Sequence, residues 1–165
     1  MSVVGAEVVS AAPYQEGRSF GSRGPATMTR LRVRHAVDPF RGANRRIVDL
    51  DLAERDDAGR VHFDHDVIVV QPRDLRARNG WALVDVANRG GPTASAFLQF
   101  DDTPFFPQPE QPPAGDGHLL AQGWTIAFTG WQFDITAPTL LGLRAPTARV
   151  DGRDISGRVG YRVRA

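Results

Sequence analysis

Apolar and charged residues alternate along residues 29–37, with Leu31, Val33, His35 and Val37 on one side and Arg30, Arg32 and Arg34 on the other. A two-residue period of this kind predicts a half-buried strand. The alternation returns at residues 47–52, where Val48, Leu50 and Leu52 oppose Asp49 and Asp51. It returns again at residues 61–70, where Val61, Phe63, His65, Val67 and Val69 share a face. Between these last two runs lies Asp56-Asp57-Ala58-Gly59, a turn of hairpin type. Residues 47–52 and 61–70 are therefore expected to pair as a hairpin.

The pattern changes at residues 81–87. Here the apolar run is nearly continuous, broken once by Asp85, with Asn79-Gly80 before it and Gly90-Gly91-Pro92 after. That predicts a strand buried on both faces. Residues 124–130 repeat the pattern. Between the two runs, residues 93–100 read as one or two turns of helix, and residues 101–117, with five prolines, as an irregular excursion. Residues 116–123 read as a short helix capped by Asp116 and Gly123, with His118 exposed in its first turn. A connection of this length permits a parallel pairing of the two buried strands. Asn88 to Gly91 and Trp131 to Asp134 then emerge on one rim. Residues 14–25 read as a loop, residues 140–150 and 155–163 as further strands turning at Asp151-Gly152, and residues 1–12 as a frayed leader.

Composition narrows the chemistry. The 165 residues suffice for one domain. All 20 basic residues are arginine, which excludes a catalytic lysine and a phosphate-loop lysine. A net charge of +1 leaves no electrostatic footprint for nucleic acid. Cysteine is absent, so there is no disulfide framework and no thiolate metal site. No apolar run is long enough to span a bilayer, and the amino-terminal segment lacks the basic start of a secretion signal. A cytoplasmic protein without membrane contact is expected, and no cofactor is implied.

Three features carry candidate chemistry. The turn Asn88-Arg89-Gly90-Gly91 leaves the carboxyl end of a strand, where ligands bind in open α/β sheets, and its glycines let backbone N–H groups approach a substrate. The same glycines could simply make a tight turn. His62, Asp64 and Asp66 share one strand face and could hold a hard divalent ion, but a solvated polar row is the default, and no metal is assigned. The arginine face at Arg30, Arg32 and Arg34 is likewise read as solvated. The adjacent Phe105 and Phe106 suit either an apolar pocket wall or the edge of the core.

Several segments together resemble one family. They are GRSFGSRGP at residues 17–25, DPFRGANRRIVDLDLAERDDAGRV at 38–61, VDVANRGG at 84–91, LLAQGWTIAFTGWQFDI at 119–135 and ISGRV at 155–159. In order and spacing they are similar to the N-terminal part of a bacterial group of α/β-hydrolase domain proteins, carboxylic-ester hydrolases. Ala26 departs from the aromatic expected after Gly24-Pro25. The resemblance implies an α/β fold: the N-terminal half of an α/β-hydrolase, β-rich in this portion, with antiparallel hairpins leading into two buried parallel strands. It implies a flexible leader and loop at residues 1–28 and an incomplete domain at residues 29–165.

By the same resemblance, the turn matches an oxyanion loop, with Asn88 in the place of a histidine and backbone N–H donors from Gly90, Arg89 or Gly91. Asn88, Trp131, Phe105 and Phe106 would line the site for a small-molecule ester. The nucleophile is missing: none of Ser2, Ser10, Ser19, Ser22, Ser95 and Ser156 lies in a Gly-x-Ser-x-Gly elbow. Asp85 and Asp134 precede where a nucleophile would come, the wrong order for a catalytic acid of that fold. The expectation is a hydrolase fragment truncated before its nucleophile and inert alone, with exposed apolar surface through which it could associate. The alternative is a self-contained, small β-rich module binding a ligand or protein at the glycine rim.

Overall fold

The computed structural model describes residues 2–92 and 111–157. Three long strands form its frame: β1 (Ser2–Pro13), β2 (Ala26–Val37) and β3 (Val61–Pro72), each antiparallel to the next. Two short strands, β4 (Ala82–Val86) and β5 (Thr125–Thr129), lie parallel to each other, with β5 antiparallel to β3. The sheet order is β1-β2-β3-β5-β4, and β6 (Leu143–Arg144) also pairs with β3. A separate two-stranded hairpin joins β7 (Arg149–Val150) to β8 (Arg153–Asp154).

One face of the sheet carries the core. Met28, Ile68, Val70, Ile126 and Phe128 point to it and are covered by Tyr14, Phe20, Leu120 and Leu141. Tyr14 is held there by its hydroxyl, which donates to the Pro112 carbonyl at 2.7 Å. The opposite face is different. The row Val8, Leu31, Val67, Thr129 and Val86 crosses all five strands in register, and none of these residues is buried.

This architecture corrects the expected α/β fold. The described residues are mostly β, with 41% in strands and 14% in helices, around a mixed six-stranded sheet. The single α-helix among the described residues is α1 (His118–Ala121), only four residues long. Its N-cap is Gly117 and not the expected Asp116, whose carboxylate accepts from the His118 N–H at 2.9 Å. Gly123 follows the helix and donates to the Leu120 carbonyl at 2.9 Å. So short a helix covers little of a sheet, and the proline- and glycine-rich connections favour turns over longer helices.

Individual strands also depart from expectation. Residues 47–52 form no strand: Asp49 adopts a left-handed conformation (φ 58) before a 3-10 turn, and Val48 is 83% exposed. The expected hairpin is therefore replaced by the pairing of β2 with β3, although the turn at Asp56 is present, its carboxylate accepting from Ala58 and Arg60. Residues 2–13, read as a leader, pair along β2 throughout. Residues 82–86 do form a strand, but one at the edge of the sheet among the described residues: Trp81 before it, and Val84 and Val86 within it, are 67%, 61% and 58% exposed. Of the expected tail strands, residues 140–150 supply only β6 and β7, and residues 155–157 are not extended into a ladder. The remainder of that last strand lies outside the described residues, as do the helix expected at residues 93–100 and most of the proline excursion. No helix among the described residues is long and apolar enough to cross a membrane.

Candidate functional site

The parallel pairing of β4 with β5 brings their carboxyl ends to one rim. Pairing continues one step past β4, where the Ala87 N–H donates to Thr129 at 3.0 Å. The chain then reverses. The Gly91 N–H donates to the Asn88 carbonyl at 3.0 Å, and Arg89 (φ 51) and Gly90 (φ 76) occupy the two central positions. Two consecutive positive φ angles with that hydrogen bond define a type I′ turn. Glycine is required at the second position. A Cβ on Gly90 would lie 2.9 Å from Leu140 Cβ and 2.9 Å from the Leu141 carbonyl oxygen. Arg89 is a bulky residue in a region that disfavours side chains, so its backbone is strained.

The turn is clamped on both sides. The Gly90 carbonyl accepts from the Leu141 N–H at 3.0 Å, tying the turn to the segment that covers the core. The Arg89 guanidinium donates to both Asp134 oxygens, at 2.9 and 2.8 Å. Those hydrogen bonds hold the Asp134 carboxyl below the usual carboxylate range. The Trp131 indole N–H donates to the Ala87 carbonyl at 3.0 Å, while the residue stays 54% exposed. The N–H groups of Arg89 and Gly90 donate to no backbone carbonyl among the described residues.

The structure thus brings together Asn88, Arg89, Gly90, Gly91 and Trp131, five of the seven residues singled out from the sequence. Phe105 and Phe106 lie outside the described residues. Phe133, two residues after Trp131 and 78% exposed, was expected at the rim but not singled out as a site residue, and the support from Ile135 and Leu140 beneath Gly90 was not anticipated. No periodic signal marks these residues.

The other polar candidates are engaged elsewhere. His62 pairs with Asp56 at 2.6 Å, and that contact, with the backbone N–H of Arg60, lowers the Asp56 carboxyl to about 2. Asp64 and Asp66 both bind Arg144. The expected solvated row of acids is therefore an ion-pair cluster, partly enclosed. Burial pushes the Asp66 carboxyl up. Hydrogen bonds from Arg144 and the Gly142 N–H, with the charges of Arg144 and Arg32, outweigh that and leave it below its ordinary value. Among the described residues no three metal-ligating side chains converge, and no serine hydrogen-bonds a histidine.

No family model, curated protein or solved structure matches the chain.

Proposed function

We propose that the Asn88–Gly91 turn is an oxyanion-binding loop that this chain contributes to a carboxylic-ester hydrolase. One observation carries the reading: two successive N–H groups, of Arg89 and Gly90, have no backbone acceptor among the described residues and sit on a clamped turn at the rim of a parallel strand pair. Backbone donors fixed before reaction are what a developing oxyanion needs, since they stabilise charge without reorganising. Each such donor is worth on the order of a hundredfold in turnover. Asn88 and Trp131 flank the turn and would contact the ester. No Gly-x-Ser-x-Gly elbow occurs in the sequence, so the nucleophile has to come from outside these 165 residues. The reading concerns the loop's chemistry and does not depend on helical layers around the sheet.

The test is a titration of the isotope-labelled chain with ethyl methylphosphonate, a tetrahedral anion resembling the acyl-transfer intermediate, followed by amide NMR. Saturable shifts of the Arg89 and Gly90 amides are expected. Shifts elsewhere with these two unmoved would refute the reading. The chain alone should hydrolyse short aryl esters no faster than buffer.

A second reading has one specific observation in its favour. Trp81, Val84, Val86, Trp131 and Phe133 are all exposed along the β4 edge and its rim. A β-rich binding module would bury such residues under a partner. On that reading the phosphonate leaves Arg89 and Gly90 undisturbed, and truncation of Trp131 and Phe133 weakens partner capture.

A further inference from the structure

A cleft of about 210 Å³ opens on the core side of the sheet, between β2 and the segment leading into β6. Its polar wall is Arg30, Arg32, Asp66 and Arg144, and its apolar wall includes Ile135 and Leu140. The arginines are not equally occupied. Arg144 commits both terminal nitrogens to Asp66, at 2.9 Å each, and its Nε to Asp64. Arg30 leans on the carbonyls of Pro138 and Thr139 at 3.4 and 3.5 Å. Arg32 has the poorest partners: its nearest carboxylate oxygens, on Asp64 and Asp66, stand 3.6 and 3.9 Å away, beyond hydrogen-bonding distance. Its Nε is enclosed with no acceptor among the described residues.

The two aspartates are drawn onto Arg144, and Arg32 is left short of an acceptor. The lining holds three guanidiniums and one carboxylate, and even with Asp64, which pairs with Arg144 and Arg32 from outside the lining, one positive charge is left in excess. A planar guanidinium is shaped for a bidentate carboxylate. The cavity is smaller than the usual range for drug-sized ligands, roughly 300–1,000 Å³.

We infer that this cleft is a binding site for a small aliphatic monocarboxylate, its carboxylate on Arg32 and Arg30 and its alkyl chain against Ile135 and Leu140. One negative charge balances the excess, and the apolar wall selects an alkyl group over a fully hydrated anion such as phosphate. The inference does not rest on the oxyanion reading, because its polar contacts, Arg30 and Arg32, lie on β2 and not on the turn, although Ile135 and Leu140 also lie beneath Gly90.

The experiment is calorimetric titration of the 165-residue chain with butyrate, acetate and inorganic phosphate, repeated with Arg32→Gln, Arg32→Lys and, as a control, the exposed Arg76→Gln. Butyrate is expected to bind more tightly than acetate or phosphate. Arg32→Gln should weaken it roughly tenfold or more, the worth of a charge-assisted hydrogen bond. Arg32→Lys keeps the charge but loses the fork, and should weaken it less. Arg76→Gln should change nothing. Amide shifts with butyrate should fall at Ala137 and Gly142, so that a failure here is separable from one at Arg89 and Gly90. Absence of saturable butyrate binding, tighter binding of phosphate, or equal affinity in Arg32→Gln and wild type would each overturn the inference.

Discussion

His35 and His65 meet across β2 and β3 with Nε2 and Nδ1 3.2 Å apart and rings stacked at 5.0 Å. Phe63 stacks on the other side of His35 at 4.6 Å. One ring has to donate and the other accept, so the pair is stable with both rings neutral and resists double protonation. Burial lowers the pKa of both imidazoles. For His65 the charges of His35 and Arg144 add to this, against Asp66 and Asp64. The sign follows from linkage. In the unfolded chain each imidazole takes a proton near 6.5, while in the folded chain it does so only at lower pH. The pair therefore costs nothing well above that value, and destabilises the fold increasingly as pH falls below it. Melting temperature should be flat from about pH 8 to about pH 7 and fall toward about pH 5, before any carboxylate titrates. His65→Gln should flatten that fall. An unchanged pH profile in the variant would show that the pair is not the source.

At the scale of elements, the join between α1 and β5 depends on Gly123. It closes the helix at φ 81, and its carbonyl accepts from the Asn79 N–H at 2.9 Å, so the chain there lies directly against the lead-in to β4. A Cβ at this position would lie 2.6 Å from the Ala77 carbonyl oxygen. Gly123→Ala should cost about 2–3 kcal/mol, combining a left-handed penalty with a backbone clash. Urea denaturation checks this, and a loss below about 0.5 kcal/mol would mean the join relaxes freely. Gly123 was legible in the sequence because a glycine after a short helical segment has one local meaning. So were the existence of β2 and β3 and the parallel β4–β5 pair with its shared rim, but not which face is buried. The core takes Met28, Ile68 and Val70, so the expected apolar row of Leu31, Val67 and Val69 lies on the other face, and Arg30 and Arg32, expected to be solvated, lie on the core side. Two failures have the same origin: local pattern does not report neighbours. Residues 47–52 alternate but find no strand to pair with, and Asp49 breaks the extended backbone. β1 was missed because bulges between Val3 and Gly5 and between Val8 and Ser10 interrupt its two-residue period. The apolar residues of β4 indicated a strand correctly, but not that it would lie at the edge of the sheet. The cleft at Arg32 could not be read at all, since its partners come from β3 and β6.

Over the whole molecule, along the path from β1 to β4, one face of the sheet is covered by the core and the row from Val8 to Val86 on the other is not, although Val37, Val61 and His35 are buried at one end of that second face. The open row from Val8 to Val86 ends at β4, whose outer edge has no strand beside it among the described residues. An apolar face and an open strand edge together favour association. The chain should bind a hydrophobic dye and self-associate as its concentration rises. Val84→Lys with Val86→Lys should reduce both, without lowering the melting temperature by more than a few degrees, because both side chains are exposed. Sedimentation velocity measures the association, and unchanged association in the double variant would place the contact elsewhere.

The order of strands in the sheet also bears on time. β1, β2 and β3 are neighbours both in sequence and in space, and can zip together through modest loops. β4 must instead wait for β5: it ends at Val86, its partner begins at Thr125, and β5 needs β3 already in place on its other side. Closing that long crossover costs chain entropy before any pairing repays it. The frame is therefore expected to form first and the glycine rim last, an order that pulse-labelled hydrogen exchange during refolding would check. A nascent chain is then expected to hold a formed frame before it has a rim, and a variant that slows the crossover should delay the rim before it delays the frame.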